Sequence, residues 1–421
     1  MRIVDFAKAQ EVLKPYMERT RQPGSYTLDR QVQLMAYLGN PQEKVRVVHV
    51  AGTSGKTSTA YYAASLLQAA GFRVGLTVSP HVDEINERVQ VNLMPLPEGE
   101  FCTDLGNFID LVEKSGIKPT YFELLIAFAF WEFARHKVDY AVVEVGLGGL
   151  LDSTNVVSRA DKICIITDLG MDHIHVLGDT LGEIAAQKAG IIQLHNAVFC
   201  YEQSAEVMEP IWARAAQKQA DLHTLVQGAV PAQLTFLPSF QRRNIQLARA
   251  AIDFVLERDG RPPLGIEVVA EAARVVIPAR METFTVAGKK VIVDGSHNAQ
   301  KMHALMTSIA LRYPGQQVAA MISFAAHGAY RVDTAVAELA PFVRHVVVTS
   351  FHGAQDFPNQ SLPPEIVRTA CHEAGIAGVD ILKEPTKAWR ALLARPEPIL
   401  LVTGSFYLLN HVRPLIREAA E

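Results

Sequence analysis

The chain has 421 residues, of which 49% are hydrophobic and 20% charged, a composition typical of a globular protein with two or three domains. Forty basic residues against forty-four acidic ones give a net charge of −4. This balance argues against a dedicated nucleic-acid-binding protein, because such proteins usually carry a basic excess.

The cysteines and the apolar runs indicate the cellular setting. Cys102, Cys164, Cys200 and Cys371 are scattered without CxxC spacing, which suggests neither a zinc site nor a disulfide framework. The N-terminal segment lacks an apolar core of signal-peptide length. No stretch approaches the roughly 18 apolar residues of a membrane span. We therefore expect a cytoplasmic protein that binds neither membranes nor nucleic acids, and a monomer.

Short β-branched runs alternate with longer runs of helical period through the first part of the chain. A helix is predicted from about Ser58 to Ala70, and another in "YFELLIAFAFWEFARHK". Continuous apolar strands separated by helices are typical of a parallel sheet covered on both faces. The strands predicted in this α/β part are "KVRVVHVAG", "FRVGLTVSP", "VDYAVVEVGLGG" and "DKICIITDLG".

A second α/β series follows the Pro-containing connector "VVIPARMETFTVAGKK". We therefore predict two domains, residues 1–282 and a smaller one over 283–421. The strands predicted in the second domain are "KVIVDGS", "QVAAMISF", "HVVVTSF" and "PILLVTG".

A phosphate-binding loop is predicted between the first strand and the first of these helices. A full Walker A motif is GxxxxGK[ST]; Val50 stands where its first glycine would fall, so the match is to a shorter variant. Glycines allow close approach of the backbone to phosphate, and a helix N-terminus presents free N–H groups to it. Lys56 can reach the outer phosphates, and a following hydroxyl can orient Mg²⁺. The predicted loop comprises Gly52, Thr53, Ser54, Gly55, Lys56, Thr57 and Ser58.

Polar clusters follow three of the predicted strands, where ligands of open α/β sheets gather. They are Ser79-Pro80-His81, Glu144 and Asp172-His173. Glu144 lies in an otherwise apolar strand, where a carboxylate is costly unless it is paired or metal-bound. A carboxylate, a hydroxyl and phosphate oxygens suit Mg²⁺. Taken singly, His173 and Ser79 are more simply explained as a hydrogen-bonded histidine and a turn residue.

Motifs along nearly the whole chain resemble the folylpolyglutamate synthase/dihydrofolate synthase family, a branch of the Mur ligase superfamily. The resemblance implies a Mur-ligase-like P-loop domain with a parallel sheet, followed by a smaller Rossmann-like α/β domain. The matching segments are "HVAGTSGKTS", "SPHVDEINERV", "TYFELLIAFAF", "VEVGLGGLLDSTN", "DHIHVLGDTLGEIAAQKAGI", "VDGSHNAQ" and "LVTGSFYLL".

The resemblance implies two metal sites and a modified lysine. Ser79 and Glu144 match the ligands of a first Mg²⁺, and His173 matches a ligand of a second. Lys188 matches the lysine that is carbamylated in this superfamily, a change that turns an ammonium into an anion able to hold metal. Lys56, His173 and Lys188 are the expected catalytic residues.

The resemblance also implies ATP contacts outside the phosphate loop. Asn244 falls where the family contacts adenine, Arg280 matches an arginine that reaches the phosphates, and Asp294 and His297 match residues at the nucleotide. The implied activity is an ADP-forming ligation of L-glutamate to a folate, to dihydropteroate or to both, through an acyl phosphate.

The sequence departs from the family pattern at three places, and the charge lost at Leu150 bears on substrate handling. Ser54 and Thr57 replace Asn and Gly of the usual GTNGKGS loop, and Leu150 replaces the arginine of GLGGRLDATN. An Asp-Lys-Asp segment expected after "MISF" is "AAHGAY" here. Two alternatives therefore stay open: a Mur-type ligase for another carboxylate and amino acid, and a homologue that binds nucleotide or folate without ligating. A generic P-loop motor is disfavoured, since no Walker B and sensor set is found.

Overall fold

The computed structural model describes residues 1–19, 27–354 and 358–420. Its contacts divide the chain into two compact units: Met1–Leu237 with Gln241–Val275, and Pro238–Phe240 with Val276–Glu421. The division at Val275 precedes the predicted domain boundary at 282/283, which stays a prediction.

The first unit is built on an eight-stranded, mostly parallel sheet. Its order is β4-β3-β2-β5-β1-β6-β7-β8, and only β3 and β4 run antiparallel to their neighbours. The predicted α/β class is confirmed. The strands are β1 (Arg46–Ala51), β2 (Val74–Thr77), β3 (Gln90–Val91), β4 (Met94–Pro95), β5 (Tyr140–Glu144), β6 (Ile163–Ile166), β7 (Ala197–Tyr201) and β8 (Asp221–Leu225).

Helices cover both faces of this sheet, as its buried apolar strands require. A cluster rich in phenylalanine and a second cluster of aliphatic side chains around Ile166 and Ile191 pack along the same face, since Val47 of the first and Ala51 of the second are alternate residues of β1. The predicted helix at Ser58 begins two residues earlier, at Lys56. The helices are α1 (Phe6–Met17), α2 (Asp29–Tyr37), α3 (Lys56–Ala69), α4 (Glu98–Lys114), α5 (Tyr121–Arg135), α6 (Ile174–Leu177), α7 (Leu181–Ala189), α8 (Ala205–Gln217), α9 (Ser239–Arg258) and α10 (Ile266–Ala272).

The second unit contains a six-stranded sheet of order β15-β12-β11-β16-β10-β9 and a two-stranded hairpin. The segment expected as a connector forms β9, an antiparallel edge strand. The strands are β9 (Glu282–Val286), β10 (Lys289–Val293), β11 (Val318–Ile322), β12 (Val343–Val348), β13 (His352–Ala354), β14 (Pro358–Gln360), β15 (Gly378–Ile381) and β16 (Ile399–Thr403). The helices are α11 (Ala299–Arg312), α12 (Val332–Leu339), α13 (Pro364–Glu373), α14 (Pro385–Leu393) and α15 (Phe406–Ala419).

The central strands of the first unit bring the predicted polar clusters to one edge. β1 lies between β5 and β6, with Val50 in register with Glu144 and Ala51 in register with Ile166. Because these neighbouring strands are parallel, the segments that follow them emerge together at their carboxyl ends.

Candidate active site

The predicted phosphate loop connects β1 to α3, and the segment after β6 ties it down. The amides of Thr53 and Ser54 both donate to the main-chain oxygen of Asp168, at 3.0 and 3.1 Å. These two amides are therefore engaged by the protein itself. Helix α3 begins at Lys56, and a helix N-terminus presents main-chain N–H groups, which are the donors suited to a phosphate.

Two glycines in the loop are required by close contacts. Gly52 has a φ of +149°, and a Cβ added there would lie 1.8 Å from Thr167 Oγ1. Gly55 has a φ of +93°, and a Cβ added there would lie 2.5 Å from Asn244 Oδ1. The second contact places Asn244, the predicted adenine contact, directly against the phosphate loop.

Two lysines share one main-chain acceptor in this loop. Lys56 Nζ donates to the oxygen of Gly52 at 3.1 Å, and Lys188 Nζ donates to the same oxygen at 2.9 Å. Lys188 is only 4% exposed. The structure therefore brings together two of the three predicted catalytic residues, which are far apart in the chain.

Glu144 is the last residue of β5, and it is buried. Its Oε1 accepts from Thr57 Oγ1 at 2.9 Å, and its Oε2 accepts from the amide of Ser79 at 3.2 Å. The carboxylate, the Thr57 hydroxyl and the predicted ligand Ser79 thus belong to one cluster. Ser79 contacts the carboxylate through its main-chain amide, and the carboxylate and hydroxyl oxygens that these residues carry are donors of the type that fits Mg²⁺.

His173 lies on the segment after β6, at the N-terminal boundary of α6, with a φ of +50°. Its imidazole is 44% exposed, and Nε2 lies 3.9 Å from Oδ1 of buried Asp172. Over residues 1–19, 27–354 and 358–420, no group of three or more His, Cys, Asp and Glu side chains is arranged to hold a metal. The role of His173 as a ligand of a second Mg²⁺ remains a prediction.

His81, which follows Ser79 in the first polar cluster, faces the interior. Its Nδ1 accepts from Arg88 Nε at 2.9 Å. Burial, reinforced by the Arg88 charge, holds the pKa of His81 well below its usual value. A neutral, arginine-bound imidazole indicates a structural role for this histidine.

A buried chain of hydrogen bonds supports the glycine-rich loop after Glu144, and sequence reasoning missed it. Thr154 Oγ1 donates to Asp152 at 2.5 Å, and it lies 2.8 Å from His49 Nε2. Asp152 also accepts from the amide of Leu147 at 2.9 Å. Burial raises the pKa of Asp152 and lowers that of His49. The polar residue His49 within an apolar strand was the available signal.

Leu150, which replaces the family arginine, lies beside the segment that carries Lys188. Its amide donates to the oxygen of Gln187 at 2.7 Å, and the residue is 36% exposed. An arginine side chain at this position would therefore have access to solvent. The segment "AAHGAY", which replaces the expected Asp-Lys-Asp after β11, lies mostly within the 3₁₀ helix Ala326–Arg331.

The remaining predicted ATP contacts lie in the second unit. Asp294 accepts from the amides of Met281 and Ser296, at 2.7 and 2.8 Å, and burial raises its pKa. The guanidinium of Arg280 lies 4.4 Å from the ring centroid of Phe406. His297 Nδ1 lies 2.9 Å from the oxygen of Gly295. Their contacts with a nucleotide remain predictions.

Comparisons with known proteins decide the family. The Mur ligase middle domain matches residues 50–234, and the Mur ligase glutamate ligase domain matches residues 279–406. The dihydrofolate synthase/folylpolyglutamate synthase of Mycobacterium tuberculosis is 30% identical, over 77% of this chain and 74% of its own length. The chain belongs to the folylpolyglutamate synthase/dihydrofolate synthase family. The predicted family is confirmed, and with it the class of ATP-dependent ligase.

Other relatives extend over almost the whole chain. The dihydrofolate synthase/folylpolyglutamate synthase of Bacillus subtilis is 29% identical, over 93% of this chain and 95% of its own length. The crystal structure of the Mycobacterium tuberculosis folylpolyglutamate synthase complexed with ADP and AMPPCP superposes with a TM-score of 0.83, at 25% identity, covering 99% of both chains. The family fold therefore accounts for both units. Within the described residues, no helix is long and apolar enough to cross a membrane.

Proposed function

We propose that this enzyme joins L-glutamate to a folate, to dihydropteroate or to both, and that it uses ATP to activate the acceptor carboxylate. The observation that carries the proposal is the cluster at the carboxyl ends of β1, β5 and β6. There the phosphate loop, Lys56, Lys188 and the Glu144 carboxylate meet in a chain whose relatives are glutamate ligases of folate.

The reaction begins with attack of the acceptor carboxylate on the γ-phosphorus of ATP. An acyl phosphate forms and ADP leaves. The amino group of glutamate then attacks the acyl carbon, giving a tetrahedral intermediate. Collapse of this intermediate expels phosphate and leaves an amide, and the proton of the attacking amine passes to solvent or a nearby base. No covalent bond to the enzyme is needed.

The residues of the first unit have distinct tasks in this reaction. The amides at the start of α3 and the Lys56 ammonium bind the ATP phosphates, and Asn244 contacts adenine. Glu144 and Ser79 would hold a Mg²⁺ and His173 a second one, and bound Mg²⁺ supplies neutralisation of phosphoryl charge. Thr57 donates to Glu144 and thereby orients the carboxylate.

We also propose that Lys188 is carbamylated. Its amine nitrogen bonds to the carbon of CO₂ with release of a proton, which gives an anionic side chain. Carbon-13 NMR of the protein in labelled bicarbonate tests this step. We expect a carbamate signal in the wild type and none in Lys188→Arg, and equal spectra would contradict it.

The activity test measures ADP release with ATP, Mg²⁺, bicarbonate and L-glutamate, with dihydropteroate and tetrahydrofolate supplied separately. We expect release that requires glutamate and at least one pterin, and we expect Lys56→Ala to abolish it. Arg249→Gln, on the outer part of α9, serves as the matched loss of a positive charge. If the folded protein binds ATP but releases no ADP with either pterin, the folate assignment is rejected. That result would favour another carboxylate substrate or a non-catalytic role.

A further inference from the structure

Arg243 and Asp168 form a bidentate ion pair beside the phosphate loop. Arg243 Nε lies 2.8 Å from Oδ2 of Asp168, and Nη2 lies 2.7 Å from Oδ1. The guanidinium also stacks 3.7 Å from the ring centroid of Tyr201, the last residue of β7. The side chains are only 21% and 31% exposed. The two hydrogen bonds to Asp168 and the stacking on Tyr201 fix the guanidinium in one orientation, which a lysine could not reproduce.

Each partner of this ion pair adjoins a different part of the predicted nucleotide site. The main-chain oxygen of Asp168 accepts from the amides of Thr53 and Ser54 in the phosphate loop. Arg243 immediately precedes Asn244, whose Oδ1 faces Gly55 of the same loop. The pair therefore links the start of α9 to the segment that anchors the loop.

We infer that Arg243 is a positioning residue for nucleotide binding, which acts through Asp168 and Asn244 without contacting ATP. The inference rests on the proposed use of ATP. Without the ion pair, α9 and the loop would sample a wider range of relative positions, and the nucleotide would have to restrict them on binding. The effect should appear in affinity for nucleotide, with little change in the rate of the bound complex.

The experiment is titration calorimetry of the full chain with MgADP. The variants are Arg243→Gln, Asp168→Asn and the double variant, since asparagine keeps the main-chain oxygen that anchors the loop. Arg243→Lys keeps the positive charge and tests whether the bidentate contact is needed. The control is Arg249→Gln, which breaks a 3.3 Å ion pair with Asp253 on the same helix.

We expect each single variant to raise the Kd for MgADP about three- to fivefold, the upper range for a partly exposed ion pair. The double variant should match the singles, because both remove one interaction. Arg243→Lys should recover only part of the affinity. Arg249→Gln should bind as the wild type does.

Three outcomes would overturn the inference: an unchanged Kd in both single variants, losses that multiply in the double variant, or a lower Tm with unchanged Kd. Where a variant ligates, a fall in kcat with constant KM for ATP would also contradict it. Failure of the wild type itself to bind MgADP would reject the proposed use of ATP, so the two failures are distinguishable.

Discussion

Gly52→Ala is expected to damage both folding and activity. The new Cβ would lie 1.8 Å from Oγ1 and 2.9 Å from Cβ of Thr167, and 3.2 Å from its backbone nitrogen. A change of rotamer at Thr167 removes only the first of these contacts. The backbone at Gly52 must therefore move, and its oxygen, which accepts from Lys56 and Lys188, must move with it.

The expected magnitude combines two costs. An alanine at the φ of +149° found at Gly52 adds about 1–3 kcal/mol of backbone strain. Overpacking against Thr167 adds about 1–3 kcal/mol. The free energy of unfolding should therefore fall by roughly 2–6 kcal/mol, a large share of the roughly 5–15 kcal/mol typical of a protein.

Urea denaturation monitored by circular dichroism measures the loss in the free energy of unfolding, and ADP release measures the activity. Gly116→Ala is the control, because Gly116 has a φ of +71° with nothing within 4 Å of its added Cβ. That variant should lose only about 1–2 kcal/mol and keep its activity. Equal stability and activity in the two variants would refute the contact-based reasoning.

Three other changes test separate parts of the molecule. Glu144→Gln keeps the side-chain volume but removes the charge, so ligation should fall at least about 100-fold and need more Mg²⁺; wild-type Mg²⁺ titration curves would contradict this. Leu150→Arg, at an exposed position, should leave Tm within about 2 °C while changing KM for the pterin more than KM for ATP; an unchanged ratio of the two KM values would show that Leu150 does not determine substrate choice. Burial raises the pKa of Glu132 to about 7, so the folded carboxyl binds a proton more readily than the unfolded one. The free energy of unfolding should therefore decline as pH rises from about 4.5 to about 7, and Glu132→Gln should flatten that decline; parallel pH curves for the two proteins would contradict it.

The central strands could be predicted because each is a short, continuous apolar run. β1, β5 and β6 are buried on both faces, so their sequences carry no polar alternation to confuse the assignment. β9 was missed because it is an edge strand whose residues are mostly half-buried, with threonines at Thr283 and Thr285. A half-buried polar edge resembles a connector in a single sequence.

The site was predictable where side-chain type carries the chemistry. A carboxylate at the end of an apolar strand predicted a partner or a metal for Glu144, and the structure supplies Thr57 and Ser79. The anchoring of the loop by the oxygen of Asp168 could not be predicted. Main-chain acceptors are the same for every residue type, and the two segments, which are far apart in the chain, are brought together by the pairing of β1 with β6.

The shared acceptor at Gly52 gives a physical reason for the proposed modification of Lys188. With hydrogen bonds of 3.1 and 2.9 Å to one oxygen, the two lysine nitrogens lie no more than 6.0 Å apart. Two ammonium charges at that distance repel by about 3 kcal/mol at an effective dielectric constant near 20. In the proposed reaction the positive charge of Lys56, at the start of α3, binds the phosphates, whereas Lys188 is almost fully buried. Converting Lys188 to a carbamate would replace this repulsion with attraction and add a second anionic oxygen donor at the edge of the sheet where Glu144 lies.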